Sequence, residues 1–387
     1  MLLKNISFEK FKVTTKNFKI KNKVEKLLDY HSKQKLLKTF TKTYKYSFDR
    51  NKIKKFKNYS NYRIIGMGGS SLGIQAIYNF LNFKINKKFT FLNNLNTNNL
   101  EQNDKKKTLN IIISKSGNTI ETITNFNNLR NKKNNLFICE NSNNYLRKLA
   151  NKLKSEIIEH KNYVGGRYSV LSEVGMLPSI LMGLDDRKFK NLDNLIKNKN
   201  FVDTLINSVS STINFIKNKK KNSIILNYDY ESEDLFKWYQ QLIAESLGKK
   251  SKGILPVVST MPKDNHSMMQ LYLDGPKNSF YTFFDVINRK SRKKNNFFIF
   301  ETHKYLKNKT LLDIKNAQKE ATKKVFKIKK IPFRSIEVLN RSESSIGELF
   351  TFFMLETILL GNFLNLNPFD QPSVELIKAQ TKKILSS

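Results

Sequence analysis

Cysteine is almost missing from this chain of 387 residues, which contains only Cys139. A single cysteine excludes an internal disulfide framework and fits a reducing compartment, so we expect a cytoplasmic protein. Cys139 follows the apolar run 135–138, where a thiol is typically buried and structural.

Acidic residues are also scarce. The chain has 32 Asp and Glu and 70 Lys and Arg, which gives a formal net charge of +38. Such an excess favours anionic partners in general. The lysines are spread along the chain in short runs such as 105–107 and 219–221. We therefore predict a solvated basic surface without a dedicated nucleic-acid partner.

Long apolar runs are lacking as well. The apolar stretch at the N-terminus is too short for a secretion signal. The most apolar stretch, 349–366, includes Glu356, Asn362 and Asn365, which are costly in hydrocarbon. We predict a buried or interface helix there, and no membrane partner.

Only four histidines occur, and no group of His, Cys, Asp and Glu has zinc or iron spacing, so no metal site is expected. His31, His160 and His303 have no partner pattern and receive no role. His266 opens an apolar helix from a polar loop, which suits either acid–base chemistry or an ordinary capping turn.

The chain does contain enough apolar residues, 39%, for a sizeable core. Short apolar runs alternate with segments of helical period, which is typical of parallel strands buried on both faces. The predicted strands of a first sheet are 63–65, 89–92, 109–113 and 136–138. Those of a second sheet are 223–226, 254–258, 280–284, 297–300 and 333–338.

We therefore predict an α/β protein with two doubly wound parallel-sheet subdomains in tandem. An amphipathic pattern that includes Val24, Leu27 and Leu36 predicts helix before them. The predicted parts are an N-terminal helical segment at 1–55, a first α/β subdomain at 56–200, a second at 201–344, and C-terminal helices at 345–387.

Two strand-to-helix turns have the composition of anion-binding sites. The glycine-rich turn 66–73 permits close backbone approach, but it lacks G-x-G-x-x-G spacing, which argues against a dinucleotide. In the second turn, Ser114, Lys115, Ser116 and Thr119 stand at a helix start and suit a phosphomonoester. An ordinary N-cap loop would explain one hydroxyl but not three.

Acid–base chemistry has a candidate in Glu245, which shares a helix face with Gln241 at i,i+4 spacing. Its apolar neighbours partly desolvate the carboxylate, which suits a general base, although a solvated surface glutamate is the alternative. Arg167 follows two glycines and suits the stabilisation of an oxyanion. Lys378, taken alone, is one surface lysine among many.

Six of these blocks, in this order, resemble the phosphoglucose isomerase family over about residues 63–385. The matching blocks are Gly-Gly-Ser at 68–70, Ser-Lys-Ser-Gly-x-Thr-x-Glu-Thr at 114–122, Gly-Gly-Arg-x-Ser at 165–169, Gln-x-x-x-Glu-Ser-x-Gly-Lys at 241–249, His-Ser-x-x-Gln at 266–270 and Asp-Gln-x-x-Val-Glu-x-x-Lys at 370–378.

The resemblance implies two sugar-isomerase (SIS) type subdomains in a homodimer whose active site is shared between subunits, and interconversion of glucose 6-phosphate and fructose 6-phosphate without a cofactor. It assigns catalytic roles as follows: Glu245 moves the proton, Arg167 steadies the enediolate, and His266 and Lys378 assist ring opening. It assigns substrate contacts as follows: phosphate to Ser114, Lys115, Ser116 and Thr119, and sugar to Gly69, Ser70 and Gln241.

Two departures concern the terminal block, where Ser373 and Ile377 replace glycines usual in the family and affect the approach of Lys378.

Two alternatives also stay open. One is an isomerase that accepts both glucose and mannose phosphates. The other is a non-catalytic sugar-phosphate-binding regulator, which would not need Glu245, His266 and Arg167 together.

Overall fold

The computed structural model describes residues 5–12, 21–22, 24–26, 34–95, 107–287 and 299–387. Its strands form two five-stranded sheets. The strands are β1 (Ile6–Glu9), β2 (Asn61–Ile65), β3 (Lys88–Leu92), β4 (Thr108–Ile113), β5 (Asn135–Cys139), β6 (Glu156–Glu159), β7 (Asn222–Asn227), β8 (Leu255–Thr260), β9 (Ser279–Val286) and β10 (Phe333–Val338).

The first sheet has the order β3-β2-β4-β5-β6, and every pair in it is parallel. Its central strands are buried on both faces, which explains why they are continuous apolar runs. The four predicted strands are confirmed. The edge strand β6 was not predicted, because its two isoleucines lie between glutamates.

The second sheet has the order β1-β10-β9-β7-β8 and is parallel except at β1, which pairs antiparallel with β10. Four of its five predicted strands are confirmed. The strand predicted at 297–300 is wrong for its last two residues, because Ile299 and Phe300 lie outside any strand and Phe300 is 70% exposed. Residues 297–298 lie outside the described residues.

One edge of this sheet is formed by β1, which comes from a segment for which only helix was predicted. Ile6 and Phe8 alternate inward and are buried, and the ring of Phe8 packs on Phe352 with centroids 5.2 Å apart. The predicted helix is present in part, since Leu36 is buried on a short helix, whereas Leu27 lies outside the described residues.

Helices cover the faces of both sheets. Those described are α1 (Lys35–Lys38), α2 (Arg50–Ile53), α3 (Leu72–Phe80), α4 (Ile120–Asn127), α5 (Tyr145–Lys152), α6 (Glu173–Leu181), α7 (Leu192–Lys197), α8 (Lys199–Lys217), α9 (Glu233–Leu247), α10 (Met269–Asp274), α11 (Leu311–Ile328), α12 (Glu343–Phe363) and α13 (Pro372–Ser386).

The apolar stretch of the C-terminal part is the core helix α12, as predicted. By length and composition α12 could cross a membrane, but 89% of its most apolar window is buried inside the fold. Its buried Glu356 is paired with buried Arg334, whose Nη1 donates to Oε1 at 2.6 Å. The charge is therefore compensated within the protein.

The carboxyl ends of the first sheet place three turns at one edge. After β2 comes the short 3-10 helix Gly68–Ser70, after β4 the loop 114–119, and after β6 the 3-10 helix Gly166–Leu171. Helix α9 of the second subdomain packs beside the first and third of these turns. Crevices at this edge are the usual ligand sites of open α/β sheets.

Candidate active site

The side chain of Arg167 lies at the centre of this edge and is 1% exposed. Its three guanidinium nitrogens donate five hydrogen bonds, to Ser246 Oγ (2.8 Å), Glu245 Oε2 (3.0 Å), Gln371 Oε1 (2.7 Å), Pro368 O (2.6 Å) and Asp370 O (2.9 Å). A buried cation with this many acceptors is held in one orientation.

The carboxylate of Glu245 is bound from two sides. Arg167 donates to Oε2, and Gln241, one turn earlier on α9, donates from Nε2 to Oε1 at 2.9 Å. The Glu245 side chain remains 30% exposed. The carboxylate is therefore fixed in direction yet accessible from outside, as a general base must be.

Gln241 itself has an unused acceptor. Its Oε1 is buried and finds no hydrogen-bond partner among the described residues. A buried polar oxygen without a partner is costly, so this atom suits a donor supplied by a ligand, such as a sugar hydroxyl.

Two glycines let this side-chain cluster form. Gly68 has φ +52°, and a Cβ there would lie 2.6 Å from Gln241 Nε2. A Cβ on Gly69 would lie 2.2 Å from both the carbonyl carbon and oxygen of Gly166, the residue before Arg167. The 3-10 helix Gly68–Ser70 can approach the 3-10 helix that contains Arg167 only because Gly69 has no side chain.

The loop after β4 brings its hydroxyls together. Ser114 Oγ and Thr119 Oγ1 are 2.8 Å apart, and Ser116 Oγ accepts from Asn118 N at 3.3 Å. Thr119 is the N-cap residue of α4, but its side chain makes no capping hydrogen bond. An ordinary N-cap therefore does not explain this hydroxyl.

Lys115 in the same loop is engaged by protein groups. Its Nζ donates to Asn162 O at 2.8 Å and lies 3.6 Å from Glu140 Oε1. Gly117 has φ +65°, and a Cβ there would lie 2.0 Å from Asn144 Oδ1. The turn that presents the hydroxyls therefore requires glycine at this position.

A loop from the C-terminal part, 367–371, covers Arg167. Lys249 Nζ donates to Asp370 Oδ1 at 2.6 Å, which holds the pKa of that carboxyl below its usual value. Tyr168 donates its hydroxyl to Pro368 O at 3.1 Å. Arg167 is thus enclosed by groups distant in sequence.

Sequence reasoning missed Ser246, Lys249 and Gln371, although all three belong to the matched blocks. Ser246 and Lys249 follow Glu245 closely, and Gln371 precedes Lys378 in the terminal block. Their positions inside the matched blocks could have marked them as site residues. The atoms that they contact depend on how the loop 367–371 folds.

Two of the predicted catalytic residues are exposed. His266 is exposed at the end of the 3-10 helix Lys263–His266. Lys378 is exposed on α13 and its Nζ lies 2.7 Å from Glu375 Oε1. The described hydrogen bonds and ion pairs join neither residue to Glu245 or Arg167.

The structure describes no group of three or more His, Cys, Asp and Glu side chains arranged to hold a metal ion, within the ranges given above.

Cys139 is buried and unpaired, as predicted, and burial raises the pKa of its thiol.

Comparison with known proteins gives a consistent result. Residues 16–387 match the family described as "Phosphoglucose isomerase". A "Probable glucose-6-phosphate isomerase" of Methanococcus maripaludis is 32% identical over 350 residues, which cover 82% of this chain and 77% of the relative. A "Glucose-6-phosphate isomerase" of Methanocaldococcus jannaschii is 30% identical over 347 residues, 85% of each chain.

One solved structure shares the whole fold. It is a hypothetical protein from Thermus thermophilus, with a TM-score of 0.82 and 23% sequence identity, and the match covers 96% of this chain and 95% of that one. At this identity the likeness concerns the fold alone.

Proposed function

Since this chain belongs to the phosphoglucose isomerase family, we propose that it interconverts glucose 6-phosphate and fructose 6-phosphate at the cluster formed by Arg167, Gln241 and Glu245. The observation that carries this assignment is the oriented, accessible carboxylate of Glu245 beside a buried cation. The reaction relocates a proton between adjacent carbons and conserves electrons, so it requires a base and an oxyanion stabiliser and no cofactor.

Glu245 is proposed as the base that carries the proton between C2 and C1. Its two oxygens are held by Gln241 and Arg167, which fixes the direction of the carboxylate before substrate arrives. A base that is already oriented loses little entropy on reaching the transition state.

Arg167 is proposed to stabilise the negative charge of the cis-enediolate. Its guanidinium is buried, so charge–charge interactions there are little screened by water. The carbonyls of Pro368 and Asp370 hold Nη2, and therefore the cation stays in place as charge develops nearby.

The substrate's phosphate is proposed to bind at the start of α4, with Ser114, Lys115, Ser116 and Thr119. The supporting facts are the hydroxyl cluster and the helix N-terminus that follows it. For the sugar, Gly69 and Ser70 border the cluster, and the unpartnered Oε1 of Gln241 offers an acceptor for a hydroxyl.

Ring opening is proposed for His266 and Lys378, with His266 supplied by the partner subunit of a homodimer. The exposed position of His266 is compatible with this arrangement. The helix α13, which carries Lys378, exposes the apolar side chains of Leu376, Ile377, Ile384 and Leu385.

We propose a cytoplasmic location for the enzyme.

A coupled assay of the purified protein with fructose 6-phosphate tests the assignment. Formation of glucose 6-phosphate, unchanged by EDTA, is the expected result. No turnover would favour the sugar-phosphate-binding regulator instead, and a parallel assay with mannose 6-phosphate measures epimer selectivity. Activity that EDTA abolishes and a divalent ion restores would contradict the metal-free mechanism.

A further inference from the structure

A cavity of about 480 Å³ lies between segment 42–50 and residues 186–190. None of the residues that line it belongs to the proposed isomerase site. Its wall includes Lys190, whose side chain is among the largest that the fold buries fully.

The ammonium group of Lys190 has no ordinary partner. Although Lys190 is only 2% exposed, none of the described residues accepts a hydrogen bond from its Nζ. The Nζ lies over the rings of Tyr46 and Tyr44, 4.2 and 4.5 Å from their centroids. Aromatic faces attract the cation but accept none of its three hydrogens in the usual way.

The nearby carboxylates are already occupied. Asp186 accepts two hydrogen bonds from Arg50, at 3.0 and 2.7 Å, and one from the hydroxyl of Tyr46 at 2.7 Å. Glu173 accepts from the hydroxyl of Tyr44 and from the backbone N–H of Ser47.

Burial lowers the pKa of Lys190 to about 7, against the opposing fields of Asp186 and Glu173, while Arg50 adds to the decrease. In the unliganded protein near neutral pH, a substantial part of the Lys190 population is therefore neutral.

The mouth of the cavity is basic. Lys42, Lys45 and Arg187 line it and are exposed. With Arg50 they make four cationic side chains against two acidic ones, Asp49 and Asp186, and Lys190 adds a fifth positive charge when it is protonated. An anion entering from solvent would meet a positive field and, among the lining residues, a lysine whose buried Nζ has no acceptor among the described residues.

We propose that this cavity is a second anion site, which binds the tetrahedral oxyanion of inorganic phosphate or of a small phosphate monoester, with one oxygen accepting from Lys190. Charge-assisted bonds to an oxyanion would fill the donor positions that the protein leaves open. The cavity is large enough for a phosphate together with a short organic substituent.

Proton uptake is an expected property of such a site. A bound anion favours the charged form of Lys190, so binding above about pH 7 should draw a proton from the buffer, and affinity should fall as the pH rises further. Sulfate is the cleanest first probe, because its charge does not change near neutral pH, whereas that of phosphate does.

Calorimetric titration of the full chain with sulfate, in two buffers of different ionisation enthalpy, measures both affinity and protons bound. In the wild-type protein we expect sulfate binding with proton uptake at pH 8. Lys190→Met should weaken this binding at least about 10-fold and remove the uptake. Lys188→Met is the matched control, because this neighbouring lysine is exposed and paired with Asp185, and it should change neither.

A rim variant keeps the proposal testable if Lys190→Met does not fold. Lys42→Glu combined with Lys45→Glu changes only exposed side chains and should also weaken sulfate binding about 10-fold. Titration with inorganic phosphate and with glycerol 3-phosphate then distinguishes a free ion from a monoester as ligand. Wild-type sulfate affinity in a folded Lys190→Met protein, or in the rim variant if Lys190→Met does not fold, would mean an adventitious ion only and overturn the proposal.

Discussion

Oε2 of Glu245 lies 3.0 Å from Nη1 of Arg167, and solvent reaches mainly the glutamate of this pair, whose side chain is 30% exposed while that of Arg167 is 1% exposed. The arginine cannot follow the carboxylate outward, because its other nitrogens are bonded to Ser246 and to the loop 367–371. The proposed base and the proposed oxyanion stabiliser are therefore set at a fixed separation before substrate binds.

Glu245→Gln should retain the fold and substrate binding and lower kcat by ~10²-fold or more, since the amide keeps the shape of the side chain but cannot take the proton. Steady-state kinetics with fructose 6-phosphate measure this change. Glu233→Gln, at the start of the same helix, is the matched control and should keep near wild-type turnover. If both variants are equally active, the base lies elsewhere.

Ser116→Ala combined with Thr119→Ala should raise KM more than it lowers kcat. Phosphate contacts far from the reacting carbons stabilise the bound substrate and the transition state to a similar degree. Thr124→Ala, which removes a hydroxyl inside the same helix α4, serves as control. An unchanged KM in the double variant would remove this loop from the substrate site.

Gly69→Ala should separate the two turns that meet at Arg167, because its Cβ would lie 2.2 Å from backbone atoms of Gly166 that cannot rotate away. Overpacking of this kind costs ~1–3 kcal/mol of the free energy of unfolding. We expect a lower Tm and a kcat/KM reduced about 10-fold or more.

Gly166→Ala is the counterpart on the other side of the same contact. The nearest atom to its Cβ would be Gly69 Cα at 4.0 Å, an ordinary contact. Its Tm should therefore stay near that of the wild type. Equal losses in the two variants would show that the close approach of Gly69 is not the cause.

The proposed shared site can be tested by mixing subunits. When Glu245→Gln and His266→Ala chains exchange at random, about half of the dimers are mixed, and each mixed dimer contains one site with both residues intact. Roughly a quarter of wild-type activity should then reappear. If exchange is demonstrated by mass spectrometry of tagged subunits and activity does not rise, His266 acts within its own subunit or not at all.

Much of the fold follows from local pattern. The strands of the first sheet are apolar runs because both faces are covered, and this burial can be read from Leu109 to Ile113 without any tertiary information. The strand β1 could not be predicted in this way. It is four residues long, and its partner β10 lies more than 300 residues away in sequence.

The candidate site divides similarly. The residue types and their spacing were sufficient to single out Gln241 and Glu245, because an i,i+4 pair on a helix shares a face wherever the helix packs. The amino-acid sequence by itself also determined the order of the blocks on which the family assignment rests.

Only the tertiary structure decided which atoms complete the site. Gln371 contacts Arg167 across 204 residues of sequence, and the loop 367–371 folds over the guanidinium because Lys249 and Tyr168 hold its carbonyls. Lys190 was one basic residue among 70 until the fold buried it against two tyrosines without an acceptor. Burial and hydrogen-bond partners are properties of packing between distant segments, so local sequence does not specify them.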